Sequence, residues 1–198
     1  MAETSEKTPD NPANINIIND KLLVKQFNRG DDSAFDRIVE ENSAEIAAFA
    51  NQLLGWPGDV DDIIQDIFFA AFLGLKKFRC DCSIKTWLFT ITINKCRTYR
   101  HKQMLRLKLL LKTAGQIPLA SNRAADKTMT DKETFNRVRR AVKALPPKYR
   151  EPVVLKYLQE LPADKIVKIL GISKNALQVR LNRARQRLKK DLAELIED

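Results

Sequence analysis

Asp62 and Asp66 stand one helical turn apart, and paired carboxylates at that spacing could suggest acid/base work or a bound cation. The set is incomplete: no histidine or second carboxylate cluster joins them, and His101 is the only histidine in the chain. Cys80 and Cys82 form a C-x-C pair that could hold a metal, but the same shortage makes four ligands hard to assemble. Ordinary reduced thiols, or thiols that sense oxidants, are the alternatives. There is no glycine-rich phosphate loop. An enzyme is therefore discounted, and no cofactor or metal is expected.

Richer chemistry lies in the cations. Residues 171–190 contain no Asp or Glu. In a helix starting at Lys174, Leu177, Leu181, Ala184 and Leu188 share one face and turn inward. The remaining surface offers Lys174, Asn175, Gln178, Arg180, Arg183, Arg185 and Arg187, cations that neutralise phosphates mixed with amides that read base edges. Ile166, Val167 and Leu170 mark a preceding helix, joined through Gly171-Ile172-Ser173, a turn of the helix-turn-helix kind. The alternative is a solvated cationic face.

Residues 76–112 hold 11 Lys/Arg and one acid, Asp81, interleaved with Phe78, Trp87, Phe89 and Tyr99. Rings that stack on unpaired bases beside cations that follow phosphates make a single-strand surface. Trp87, Leu88 and Ile91 share helical spacing, so part of this set also serves a core. A third face lies on the segment GDVDDIIQDIFFAAF, where Ile63, Ile67, Phe68, Ala71 and Leu75 form one side of a helix and Asp62, Gln65, Asp66 and Phe69 another. An acidic stripe around an exposed aromatic suits a basic protein partner, or else is a solvated polar side.

The elements that must position these faces are helices, and the fold class is all-α. Residues 1–18 read as a mobile tail. A short helix to about Asn28 ends at Gly30, and Asp32 or Ser33 caps the next, to about Leu54. Gly55-Trp56-Pro57-Gly58 is a break, and Asp59 caps a helix over about 60–77. A helix over about 83–105 follows, despite the β-branched run Thr90-Ile91-Thr92-Ile93. Residues 106–130 are expected to be a flexible linker, although LRLKLLLK could extend the preceding helix into it. Beyond it come helices over about 131–144 and 149–159, a third opening at Pro162, and the last capped by Ser173. Charge divides in the same place: residues 1–75 carry 5 Lys/Arg against 14 Asp/Glu, residues 76–198 carry 30 against 11, and the net is +10. Such halves suggest two different partners. Without a leader or a long apolar run, a cytoplasmic protein that does not insert in membranes is expected.

In chain order, Asp59-Val60-Asp61-Asp62-Ile63-Ile64-Gln65-Asp66-Ile67-Phe68, then Phe78-Arg79, Thr86-Trp87-Leu88 and Ile93-Asn94, then the helix-turn-helix ending Arg183-Ala184-Arg185, resemble the extracytoplasmic function sigma factors of the bacterial sigma-70 family. The resemblance implies a region 2 domain over 19–105, a linker over 106–130 and a region 4 domain over 131–198. It implies two further partners, core RNA polymerase and promoter DNA. Asp62, Gln65, Asp66 and Phe69 would dock on the largest-subunit clamp. Phe78, Arg79, Ser83, Lys85, Trp87, Asn94, Arg97 and Arg100 would recognise and melt the −10 element, with the loop 78–84 and Asn94 capturing a flipped base. Lys174, Asn175, Gln178, Arg180, Arg183 and Arg185 would read the −35 element. The apolar helix around Val153, Val154, Leu155 and Leu158 would help seat the second domain on the polymerase flap. An anti-sigma factor is a further implied partner.

Three departures stand out. Leu161-Pro162-Ala163-Asp164 replaces a polar helix start, Leu177-Gln178 alters the reading helix, and Cys-Asp-Cys occupies a loop where glycine is frequent. The rival reading is a stand-alone helix-turn-helix regulator, which would bind its operator alone and have no need of Asp62, Gln65 and Asp66.

Overall fold

The computed structural model describes residues 12–55, 60–114 and 131–193. Among these, α1 (Pro12–Asn28), α2 (Ser33–Leu54), α3 (Asp61–Leu75) and α4 (Ile84–Ala114) form one helical group. The helix α1 begins at Pro12, inside the expected tail, because proline's fixed φ suits a first turn. Asp31, rather than Asp32 or Ser33, supports the start of α2, its Oδ1 accepting from the Ser33 N–H at 3.1 Å and hydroxyl at 2.6 Å. Gly55 ends α2 at φ 81, the left-handed conformation glycine adopts at little cost. The break Trp56–Gly58 and the expected cap Asp59 lie outside the described residues.

Packing of this group follows the apolar stripes. Ile63, Ile67, Phe68, Ala71 and Leu75 of α3 are buried. Phe72 meets Phe27 and Phe35 edge-on at 5.3 and 5.1 Å, joining α3 to α1 and α2, and Phe49 of α2 meets Phe89 of α4 at 4.5 Å. The run Thr90–Ile93 is helical because threonine hydroxyls find partners there: Thr90 and Thr92 donate to the carbonyls of Thr86 and Leu88 at 3.2 and 2.8 Å. Past Leu105, where a linker was expected, α4 continues to Ala114. Arg, Leu and Lys are strong helix formers, and no breaker intervenes before Gly115. The rest of the expected linker, 115–130, lies outside the described residues.

The second group comprises α5 (Asp131–Ala144), α6 (Pro147–Val153), α7 (Ala163–Leu170) and α8 (Lys174–Asp191). A π turn over Val154–Leu158 prolongs α6. Pro152 lies just before it, and a proline inside a helix removes a backbone donor and crowds the preceding turn. Val153, Val154, Leu155, Ile166, Ile169, Leu170, Leu177, Leu181 and Ala184 build the core of this group. The groups meet where α7 packs on α4, and where α6 and the π turn pack on α2.

Candidate nucleic-acid interface

The helix α8 is set by its own first turn. Ser173 accepts from the Ala176 N–H through its hydroxyl at 3.1 Å, and Gly171 at φ 64 ends α7. Leu177, Leu181 and Ala184 are buried while Lys174, Asn175, Gln178, Arg183 and Arg185 are exposed; Arg180 is half-buried. Lys174 pairs with Asp164 of α7 at 2.7 Å, and both side chains face solvent. The hydrogen bond from Lys174 holds the Asp164 carboxyl below its usual range. Tyr149 of α6 supports the middle of α8: its ring lies 5.2 Å under the Arg187 guanidinium, and Arg183 hydrogen-bonds its side chain, lowering the phenol pKa.

A second surface lies between α3 and α4. The rings of Phe78 and Trp87 stack at 4.8 Å with 24° between planes. Gly74 leaves room for this pair, since a Cβ there would come within 3.1 Å of the Trp87 ring. Beside the rings is an open depression of about 480 Å³, edged by Lys77 and Arg79. Arg79 and Asn94 are exposed. On the outer side of α3, Asp62, Gln65 and Asp66 are exposed and Phe69 is 61% so.

The chain's sequence matches the family models described as Sigma-70 region 2 over residues 38–106 and Sigma-70, region 4 over 135–188. It is 30% identical over 182 residues to the ECF RNA polymerase sigma factor SigW of Bacillus subtilis, an alignment covering 88% of this chain and 97% of that one. The chain is an extracytoplasmic function sigma factor of the sigma-70 family. The RNA polymerase sigma factor CnrH of Cupriavidus metallidurans is 30% identical to this sigma factor over 175 residues, or 85% of the chain and 92% of CnrH. A solved structure of CnrH in complex with the cytosolic domain of CnrY superposes with a TM-score of 0.63 at 28% identity, covering 89% of this sigma factor and 98% of that chain.

The structure gives several expected DNA residues of the sigma factor other partners. Ser83 caps α4, its hydroxyl accepting from the Thr86 N–H at 3.2 Å and lying 2.9 Å from the Thr86 hydroxyl. Asp20 caps the same helix from α1, accepting from the Ile84 N–H at 2.8 Å. Burial pushes the Asp20 carboxyl up, only partly offset by that bond. Lys85 pairs with Glu45 at 2.7 Å. Arg97 and Arg100 both reach Glu151 of α6, each at 2.7 Å. Arg150 is buried, donating to the Leu53 and Leu145 carbonyls at 3.0 Å each and to that of Lys143.

The four residues expected to help seat the second domain on the polymerase flap differ in exposure. Val153 at the end of α6 and Val154 and Leu155 at the start of the π turn are buried, and of the four residues only Leu158, at the end of that turn, is exposed. Sequence reasoning missed Tyr149, Glu151 and Asp20. Each acts across a long separation in the chain, and no local period marks such contacts.

Burial raises the Cys80 and Cys82 thiols above their usual range and pushes Cys96 to about 12, which works against the thiolate an oxidant sensor needs. No group of three or more His, Cys, Asp or Glu suited to a metal occurs among the described residues. Among the same residues, no helix is long and apolar enough to cross a membrane.

Proposed function

We propose that this sigma factor divides its work among three faces: Asp62, Gln65, Asp66 and Phe69 of α3 grip the polymerase clamp, the surface of α4 with its preceding loop opens the −10 element, and α8 reads the −35 element. Sigma factors bind core RNA polymerase and promoter DNA, and the family supports this role over a free-standing regulator. The observation that carries the division is the outer side of α3, where an aromatic ring is exposed among acids rather than buried with its apolar neighbours. Exposed aromatics ringed by charge are typical anchors for a protein partner.

On α4, the depression between the Phe78–Trp87 stack and the Lys77 and Arg79 cations has the chemistry to take an unpaired base. On α8, Lys174, Asn175 and Gln178 occupy the N-terminal turns that enter a major groove in helix-turn-helix proteins. The protein acts in the cytoplasm, contributes no catalytic residue, and is held in check by an anti-sigma factor, as CnrH is found in complex with CnrY.

The test is size-exclusion chromatography with core polymerase. The wild-type chain co-elutes, and changing Asp62, Gln65 and Asp66 together to Ala weakens co-elution while leaving helical circular dichroism unchanged. A folded wild-type chain that elutes alone would sink the reading.

A further inference from the structure

Glu151 is an acid in an unusual position. It belongs to α6 of the second group, its side chain is 4% exposed, and its two oxygens are divided between two guanidiniums of α4. Oε2 accepts from Arg97 Nη2 at 2.7 Å, and Oε1 accepts from Arg97 Nε at 3.2 Å and Arg100 Nη2 at 2.7 Å. Both arginines come from the cationic stretch 76–112. A carboxylate held by the Arg97 fork and by one bond from Arg100 presents the single negative charge and paired acceptor oxygens that a phosphodiester would offer the same donors.

The seam around this contact is built from the same kinds of group. Arg100 Nη1 and Arg150 Nη1 both donate to the Leu53 carbonyl, at 3.2 and 3.0 Å, meeting the negative end of α2. Gln159 of the C-terminal group donates to Gln52 at 3.0 Å. Gly55 lets Lys143 and Arg150 approach closely, at 2.9 and 3.1 Å from where a Cβ would stand. Arg97 keeps 41% of its side chain exposed and Arg100 21%, so both remain open to solvent on one side.

We infer that Arg97 and Arg100 form a site for a nucleic-acid backbone phosphate, and that Glu151 fills it in the closed chain as an internal substitute for that phosphate. The inference rests on the assignment of α4 to DNA. The Glu151 hydrogen bond, which raises the Arg97 pKa, reports the same preference for an oxyanion. Phosphate and Glu151 compete for the two arginines, so the free chain binds DNA weakly and tightens when its two helical groups part. Apparent affinity is then reduced in proportion to the closed fraction.

The experiment measures fluorescence anisotropy of a short labelled duplex of arbitrary sequence with a single-stranded fork, titrated with the full chain in the absence of polymerase. Glu151→Gln removes the competing charge, and it should bind at least about fivefold more tightly than wild type. Glu160→Gln removes an equal charge from the exposed surface and controls for net charge. The gain should vanish when Glu151→Gln is combined with Arg97→Ala. Small-angle scattering should show a larger radius of gyration for Glu151→Gln than for wild type.

Glu151→Asp covers the case in which Glu151→Gln fails to fold. It keeps the charge but is one methylene shorter, which weakens its hold on the two guanidiniums while leaving Arg97 and Arg100 intact for phosphate, so it should loosen the closed chain and also tighten DNA binding. The inference is overturned if the folded Glu151→Gln chain binds no more tightly than Glu160→Gln, or if it expands without gaining affinity. With Glu151→Asp as the remaining variant, unchanged affinity overturns it equally. Polymerase co-elution reads the sigma factor assignment separately, because it depends on α3 and not on this site.

Discussion

Phe78 lies flat against Trp87, with ring centroids 4.8 Å apart, and Gly74 supplies the space behind them. The loop and the first turn of α4 therefore present a stacked pair, which under the proposed role a captured base would extend. Trp87→Ala should lower promoter opening by about tenfold, since a stacked base is worth about 1–3 kcal/mol. Permanganate reactivity of unpaired thymines measures this, with polymerase co-elution as the control. Normal opening by a folded Trp87→Ala chain would exclude the pair from strand capture.

Two glycines separate backbone strain from crowding. A Cβ on Gly171 (φ 64) meets nothing within 4 Å, so Gly171→Ala should cost only the left-handed backbone, about 1 kcal/mol. Gly55 (φ 81) faces the Lys143 side chain at 2.9 Å and Arg150 at 3.1 Å. Gly55→Ala should cost about 1–3 kcal/mol more, because packed neighbours must move. Urea unfolding of both variants decides the matter, and equal losses would show that the seam yields freely at Gly55.

The Asp20 cap carries a pH signature. Burial raises its folded pKa above the unfolded value, so the folded chain holds the proton more tightly and the Asp20 contribution grows as pH falls through the carboxylate range. It declines as pH rises through the folded pKa. Asp20→Asn keeps an acceptor for the Ile84 N–H without the buried charge. It should match or exceed wild-type stability at neutral pH and lose that advantage in acid, whereas Asp20→Ala should cost about 1 kcal/mol. Thermal unfolding at several pH values tests this, and an advantage for Asn that grows in acid would contradict it.

Asp164 holds Lys174 at the entry of α8, and both side chains are exposed. Asp164→Asn should leave the melting temperature unchanged while raising affinity for −35 DNA by about two- to fivefold, through the freed ammonium. The Asp164 pKa is lowered in the folded chain, so the pair is intact above the carboxylate range and is lost as pH falls. The gain should shrink accordingly in acid. Unchanged DNA affinity at neutral pH would mean that Lys174 does not touch DNA.

Much of the fold was legible because it is written in local periods. The buried stripes Ile63–Leu75 of α3 and Leu177–Ala184 of α8, and the Ser173 cap, each depend on residues a few positions apart. What escaped depends on distance or on competition between local rules. Pro12 starts a helix in a polar stretch. Arg97 and Arg100 were legible as members of the cationic stretch 76–112, but Glu151, more than fifty residues away, was not recognisable as their partner.

The π turn at Val154–Leu158 winds the chain more widely than an α-helix does, as its backbone bond from the Gln159 N–H to the Val154 carbonyl shows. Such a turn holds one residue more than a regular helix needs over the same rise, and each α-helical residue rotates the chain by about 100°. Spacing in this turn therefore works as a phase setting for everything after it. A sequence shortened by one residue here would stay helical yet aim α7 and α8 at a different side of the molecule, so the length of this turn sets the direction in which the exposed cations and amides of α8 point.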